Sequence, residues 1–282
     1  MPRTLWLASY HKSGNTWFRI FIANLLHPEQ APMNLNELSS PIWSSSRSYF
    51  DNLLGVPSAL LTQAEIDRLR PAADTELAQA WDESLLLRKA HDGYHRLPDG
   101  RPMMGQGPEF AAIYILRDPW DVAVSMTNHF DCSLVQAVEN LCNPEFAVDQ
   151  SRKRLSGHLR QDLGTWEAHA TGWLEAPMEL CLLRYERMKA APLTEFRRAV
   201  RFLGLAHDDA AIEAALDACR FERLQKQETE QRFREAPTQT RTFFRRGQVG
   251  EGLAQLTDAQ RAPLAAMHER VEAVIVARGL DA

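Results

Sequence analysis

Residues 5 to 22 limit the architecture of this chain more than any other stretch. The apolar run Leu5-Trp6-Leu7-Ala8 passes through Ser9-Tyr10-His11-Lys12-Ser13-Gly14-Asn15-Thr16-Trp17 and goes straight into the apolar-periodic Phe18-Arg19-Ile20-Phe21-Ile22. That pattern predicts a strand, a polar glycine-containing loop and a helix. The order places backbone N–H groups at a helix N-terminus with a lysine beside them, a setting for a phosphate or sulfate group. The loop is not the Walker loop G-x-x-x-x-G-K-S/T. Here Lys12 precedes Gly14, and no glycine lies upstream.

Three further segments carry chemistry. In Ile113-Tyr114-Ile115-Leu116-Arg117-Asp118-Pro119-Trp120-Asp121-Val122-Ala123-Val124-Ser125, an apolar run meets a helix start, with Asp118 as N-cap and Pro119 in the first helical position. Arg117 then stands at the carboxyl end of a strand, where open α/β sheets bind ligands. Ser125 follows about two helical turns later on a related face, so arginine and hydroxyl can share one phosphate. Ser84-Leu85-Leu86-Leu87-Arg88-Lys89-Ala90-His91 reads as a strand with Lys89 and His91 on one face. In Thr242-Phe243-Phe244-Arg245-Arg246-Gly247-Gln248-Val249-Gly250-Glu251-Gly252, two arginines precede a glycine that can turn tightly around a phosphate.

Together these segments resemble the sulfotransferases that use 3′-phosphoadenosine 5′-phosphosulfate (PAPS), whose loop reads close to Tyr-Pro-Lys-Ser-Gly-Thr-Thr-Trp. Here His11 stands for the usual proline and Asn15 for threonine. The opening also resembles bacterial members. The resemblance implies donor contacts from Lys12, Ser13, Gly14, Asn15, Thr16 and Trp17, and 3′-phosphate contacts from Arg117, Ser125, Arg245, Arg246 and Gly247. It implies adenine stacking between Trp17 and Phe221, with Tyr185 in a strand-end turn nearby. The family's Lys-Thr-His corresponds to Lys89-Ala90-His91, which makes His91 the base and Lys89 its support. Glu251 and Gly252 replace the family's Asp-Trp, which suggests a looser or reshaped lid.

Composition fits one α/β domain over residues 1–282: 45% of residues are hydrophobic, and the net charge of −5 argues against a nucleic-acid binder. The four cysteines have no metal-ligand spacing and read as reduced thiols of a cytoplasmic protein. No signal peptide or membrane span is evident. Strands are expected near 4–10, 84–90, 110–117 and 178–184. Helices are expected near 16–27, 119–130, 158–175, 192–204, 208–219 and 256–278, with Thr257 and Asp258 opening the last. The alternation argues for a central parallel sheet flanked by helices on both faces, with a mainly helical C-terminal half. Irregular insertions near 28–55, 131–157 and 228–250 are expected to wall and cover an acceptor pocket. Trp43, Tyr49 and Phe50 lie in the first of them.

The implied reaction moves a sulfuryl group from PAPS to a hydroxyl or amine of a small acceptor, an aromatic compound or a natural product, leaving adenosine 3′,5′-bisphosphate. His91 takes the acceptor proton, Lys12 and Lys89 stabilise the leaving phosphate, and no metal is expected. The rivals are a P-loop small-molecule kinase, which needs the Walker spacing, and a non-catalytic nucleotide-binding relative. Oligomeric state, monomer or homodimer, is open, because the family's dimer-contact motif is not evident in residues 262–282.

Overall fold

The strand β1 (Arg3–Ser9) is buried on both faces. Leu5 and Leu7 pack to one side and Trp6 and Ala8 to the other, each at most 1% exposed. A strand of this kind belongs in the middle of a covered sheet. The computed structural model describes residues 3–38, 42–82, 85–151, 155–237, 240 and 242–281. Expectations touching residues 39–41, 84, 152–154, 238–239 and 241 therefore fall partly outside the described residues.

After β1 come α1 (Asn15–Leu26), β2 (Ile42–Trp43), α2 (Arg47–Leu54), α3 (Gln63–Ala80), β3 (Leu85–Ala90), β4 (Phe110–Leu116) and α4 (Pro119–Phe130). Next are α5 (Leu134–Cys142), β5 (Ala147–Val148), β6 (Gln161–Asp162), α6 (Trp166–Leu174) and β7 (Glu179–Arg184). The rest is helical: α7 (Tyr185–Ala190), α8 (Pro192–Phe202), α9 (Asp209–Ala218), α10 (Phe221–Gln231), α11 (Glu251–Gln255) and α12 (Asp258–Ala277). The main sheet has five strands in the order β2-β3-β1-β4-β7, and every pairing is parallel. The expected class, a single α/β domain with a central parallel sheet, is the observed one.

Alternation along β1 and β4 feeds two cores. On one face Trp6, Tyr114, Met126, Trp166, Trp173 and Leu264 pack together, drawn from β1, β4, α4, α6 and α12. On the other, Leu7, Ile113, Phe18, Phe21, Phe196 and Ile212 join β1 and β4 to α1, α8 and α9. Each such side chain contributes about 1.5–3 kcal/mol on full burial. A smaller cluster of Phe50, Ile66, Ala73 and Leu159 sits under α2 and α3.

Some local expectations need correction. The helix expected over 158–175 begins only at Trp166, because Gly164 turns with φ +63° and the Thr165 side chain caps the Ala168 N–H. The insertions are less irregular than expected: α2 and α5 form there behind caps from Ser46 and Ser133. The helix α3 had no sequence expectation. It starts with a Thr62/Glu65 capping box, but its buried face, Ile66, Arg70, Ala73 and Leu77, includes an arginine that breaks the apolar stripe. Asp118 occupies the N-cap position of α4 without capping it. Its carboxylate lies 3.4 Å from His268 Nε2 instead.

Candidate active site

The carboxyl ends of β1, β3, β4 and β7 lie almost level, since Ala8 pairs with Ala90 and Tyr114, and Leu116 with Arg184. The residues that follow them are therefore delivered to one edge of the sheet. They line a cavity of about 1010 Å³ together with Trp43, residues of the β5–β6 region, Phe221 and residues 243–247. Of the residues singled out in the sequence, Lys12, Gly14, Asn15, Thr16, Trp17, Lys89, His91, Arg117, Ser125, Tyr185, Phe221, Arg245, Arg246 and Gly247 all line it. Ser13 does not: it is 1% exposed, and its hydroxyl has no partner.

The loop before α1 is bent by two left-handed residues, Lys12 at φ +68° and Gly14 at φ +104°. Gly14 is obligatory twice over, because a Cβ there would come 2.8 Å from the Tyr185 ring. As N-cap it offers no side-chain acceptor, and the first turn of α1 carries no acidic residue. The first-turn N–H groups thus suit an anion. The Asn15 amide faces inward: its Nδ2 donates to Leu7 O at 3.1 Å and to Ser9 Oγ at 3.2 Å, stapling the loop to β1. Lys12 Nζ stands 3.8 Å over the Phe243 ring. Enclosure and the neighbouring Arg117 and Arg245 lower its pKa to about 7, against the pull of Glu228.

The His91 tautomer follows from its partner. Nδ1 lies 2.8 Å from Ser9 O, a carbonyl that can only accept, so Nδ1 carries the proton and Nε2 keeps its lone pair. Burial, then His11 and Lys89, push the imidazole well below its ordinary pKa. It is therefore neutral near pH 7 and able to take a proton. The His11 ring stacks on it with centroids 4.2 Å apart. Behind it, His169 Nε2 donates to His91 O at 3.1 Å, and Tyr114 OH donates to His169 Nδ1 at 2.9 Å. Arg70 of α3 makes a bidentate pair with the fully buried Asp92, at 2.9 and 2.8 Å, fixing the residue next to His91.

Arg117 joins the loop to the C-terminal cover. Its guanidinium donates to Lys12 O at 3.0 Å and to Gln248 O at 2.9 Å, lies 4.3 Å from the Tyr185 ring centroid, and leaves a buried Nε without a partner. The cover is not loose. Asp121 accepts the Gly250 and Gly252 N–H groups, each at 2.8 Å, and Glu228 accepts those of Phe243 and Phe244 at 2.5 and 2.9 Å. Gly252 is required where the family has tryptophan, because a Cβ there would meet the Trp120 backbone at 2.3 Å. Glu251 pairs with both arginines, 3.3 Å from Arg245 and 2.6 Å from Arg246. Gly247 presses on Phe221, with only 2.9 Å for a Cβ.

Not all aromatic residues of the first insertion reach the cavity. Trp43 reaches the cavity, whereas Phe50 is buried in the small core and Tyr49 faces Arg88. The remaining walls include Phe130, Phe146, His129, Gln136, Asn140 and His158. Sequence reasoning assigned no role to Asp121, Glu228, Arg70, Asp92, Arg19 or Glu235. Arg19 carried a signal, as a charge inside the apolar stripe of α1, where it is 2% exposed. Asp121 lay within a quoted segment, but its lid partners are remote in the chain.

The residues present suit a nucleotide bearing two anionic ends. Two glycine cradles, an unpartnered Arg117 Nε and a bare helix N-terminus converge on one cavity. Comparison with known proteins agrees. The sulfotransferase domain family matches residues 2–271. Cytosolic sulfotransferase 17 of Arabidopsis thaliana is 27% identical, covering 91% of this chain and 70% of its own length. Flavonol 3-sulfotransferase of Flaveria bidentis is 25% identical, covering 91% and 78%. Among solved structures, mouse sulfotransferase SULT7A1 complexed with PAP shares the fold, with a TM-score of 0.55 at 19% identity over 94% of this chain and 82% of that one. Retinol dehydratase in complex with androsterone and PAP does so with a TM-score of 0.56 at 17% identity, over 95% and 80%. With these matches spanning the strand ends and the loops that follow them, the chain belongs to the sulfotransferase family and is a sulfotransferase.

Proposed function

We propose the following division of labour for the transfer of a sulfuryl group from PAPS, the donor this family uses, to a small-molecule acceptor. The N–H groups at the start of α1 and the Lys12 ammonium hold the phosphosulfate end. Arg117, Ser125, Arg245, Arg246 and the Gly247 backbone hold the 3′-phosphate, for which Arg245 and Arg246 exchange the Glu251 carboxylate. Trp17, Tyr185 and Phe221 enclose the base. Aromatic stacking of this kind is worth about 1 kcal/mol per contact beyond the area it buries.

His91 Nε2 removes the proton of the attacking acceptor hydroxyl while its Nδ1–H stays on Ser9 O, so the ring does not reorient during the step. Lys12 and Lys89 meet the negative charge that grows on the leaving phosphate oxygen. The observation that carries this reading is the His91 tautomer: an unprotonated Nε2 in the same cavity as the helix N-terminus and both lysines.

The acceptor binds between Trp43, Phe130, Phe146 and Phe243, so we expect a hydroxylated compound with a flat or apolar body. The flavonol relative is consistent with that class. The whole chain acts as one domain, with insertions near 28–55, 131–157 and 228–250 forming the acceptor walls and lid. We also assign it to the cytoplasm. Support comes from relatives named as cytosolic and from four free cysteines. Among the described residues no helix is long and apolar enough to cross a membrane. Incubation with PAPS labelled in the sulfuryl group and a panel of phenols and alcohols tests the reading. Label should move to at least one hydroxylated acceptor with wild type and about a hundredfold or more slowly with His91→Ala; equal transfer by both would overturn it.

A further inference from the structure

Lys89 stands at the carboxyl end of β3 with its side chain 5% exposed, and its charged neighbours come from several separate elements. Arg19 approaches from α1, Lys12 from the loop after β1, and Glu235 from the segment after α10. Burial and, with it, the Lys89 charge in turn lower the imidazoles of His11, His91, His129 and His158 around it. Glu235 is the carboxylate of this set, with Oε2 3.9 Å from Lys89 Nζ. The same carboxylate receives two hydrogen bonds from the Arg19 guanidinium, at 2.6 and 2.8 Å. Trp43 closes a further side, its ring centroid 3.2 Å from Lys89 Nζ and 5.6 Å from the Arg19 guanidinium carbon.

We infer that Glu235 is a positioning residue for sulfuryl transfer: anchored by Arg19, it supplies the counter-charge that favours the ammonium form of Lys89 and seats it over Trp43 at the reacting end of the cavity. The inference rests on the role proposed above for Lys89. An amine that has lost its proton offers no charge to a leaving phosphate. Burial, Arg19 and Lys12 all push Lys89 toward that neutral form, and Glu235 opposes them. Burial would also raise the Glu235 carboxyl, but the Arg19 hydrogen bonds and the charge of Lys89 hold it below its ordinary value, so the anion persists. Arg19 thereby does two things: it repels Lys89 directly and holds in place the carboxylate that opposes this repulsion. Glu235 belongs to the insertion near 228–250. The segment that covers the cavity thus also supplies the counter-charge for a lysine on the sheet.

The chain has five lysines, so ¹³Cε-lysine NMR can follow each one, with Lys89→Arg assigning the Lys89 signal. The pH titration is run on wild type, Glu235→Gln and Glu235→Asp, with binding of adenosine 3′,5′-bisphosphate measured on each. Glu235→Gln should lower the Lys89 midpoint by about one unit or more, a tenfold loss of proton affinity. Glu235→Asp should lower it by less, and Lys189 and Lys226 should not move. An unmoved Lys89 midpoint in Glu235→Gln, with wild type binding the bisphosphate, overturns this inference alone. Equal shifts of all lysines would show a general structural effect and overturn it too. Should Glu235→Gln fail to fold, Glu235→Asp decides: a midpoint identical to wild type overturns the inference. Wild type that does not bind the bisphosphate at all would instead overturn the proposed function.

Discussion

The side of the cavity that we assign to the donor and the side that we assign to the acceptor are built differently. The donor side consists of short segments that each follow a parallel strand: the loop after β1, Arg117 after β4 and Tyr185 after β7. Sheet register sets their relative positions, and glycine cradles at Gly14 and Gly247 shape the space between them. The other side is assembled from Trp43 of β2, α5, the β5–β6 pair and the cover, segments far apart in the chain. A rigid sheet edge can hold an invariant anion. A wall made of insertions can change its acceptor without disturbing that edge.

The largest expected effect tests whether chemistry can be separated from donor binding. His91→Ala should lower kcat by about 10²–10⁴-fold, the usual range for a general base, while bisphosphate affinity measured by calorimetry stays within about threefold of wild type. Loss of binding together with turnover would mean that His91 belongs to the donor cradle.

Next comes the cover. Gly252→Ala drives a Cβ into the Trp120 backbone, and Asp121→Asn removes the charge that pairs with two lid N–H groups. Each should destabilise the fold by about 1–3 kcal/mol in denaturant titrations and weaken bisphosphate binding. Trp43→Ala sharpens the contrast from the other side. It should raise acceptor KM by about tenfold and leave bisphosphate affinity nearly intact, since it removes an aromatic wall from the acceptor end.

The smallest effect concerns protons. With its pKa near 7, Lys12 loses charge as pH rises through neutrality, whereas an anionic ligand favours the protonated form. Bisphosphate affinity should therefore fall as pH rises from about 6 to 9, at most about tenfold per unit from this one group. Near pH 8 binding should take up close to one proton, visible in calorimetry across buffers of different ionisation enthalpy. His91 is held below its ordinary range, so turnover should show no acid limb between pH 6.5 and 8 from the base.

The residues that we assign to the donor could be picked out of the sequence as neighbours in one cavity because their determinants are local. Lys12 to Trp17 sit within one loop, and Arg117, Lys89 and His91 each close a strand whose apolar run announces it. The parallel sheet followed from the same runs. The helix α3 was not visible, because its buried face carries Arg70 for the sake of Asp92, and that pairing cannot be read from periodicity. Glu228 and Glu235 were assigned no role from the sequence. Their roles come from meeting Phe243, Phe244, Arg19 and Lys89 across the fold. Of the two expectations for the cover, looser or reshaped, the contacts fit the second: replacing tryptophan by Gly252 removes a side chain but permits a close backbone contact with Trp120.

The central claim is that the strand ends form a site for PAPS, and one calorimetric comparison tests it most directly. Wild type and Arg117→Ala are titrated with adenosine 3′,5′-bisphosphate and, separately, with ADP plus magnesium. The account predicts magnesium-independent binding of the bisphosphate that weakens by about 2 kcal/mol or more in the variant, as for a lost charge-assisted phosphate contact. Preference of the wild type for ADP with magnesium, or indifference of its affinity to the 3′-phosphate, would contradict it.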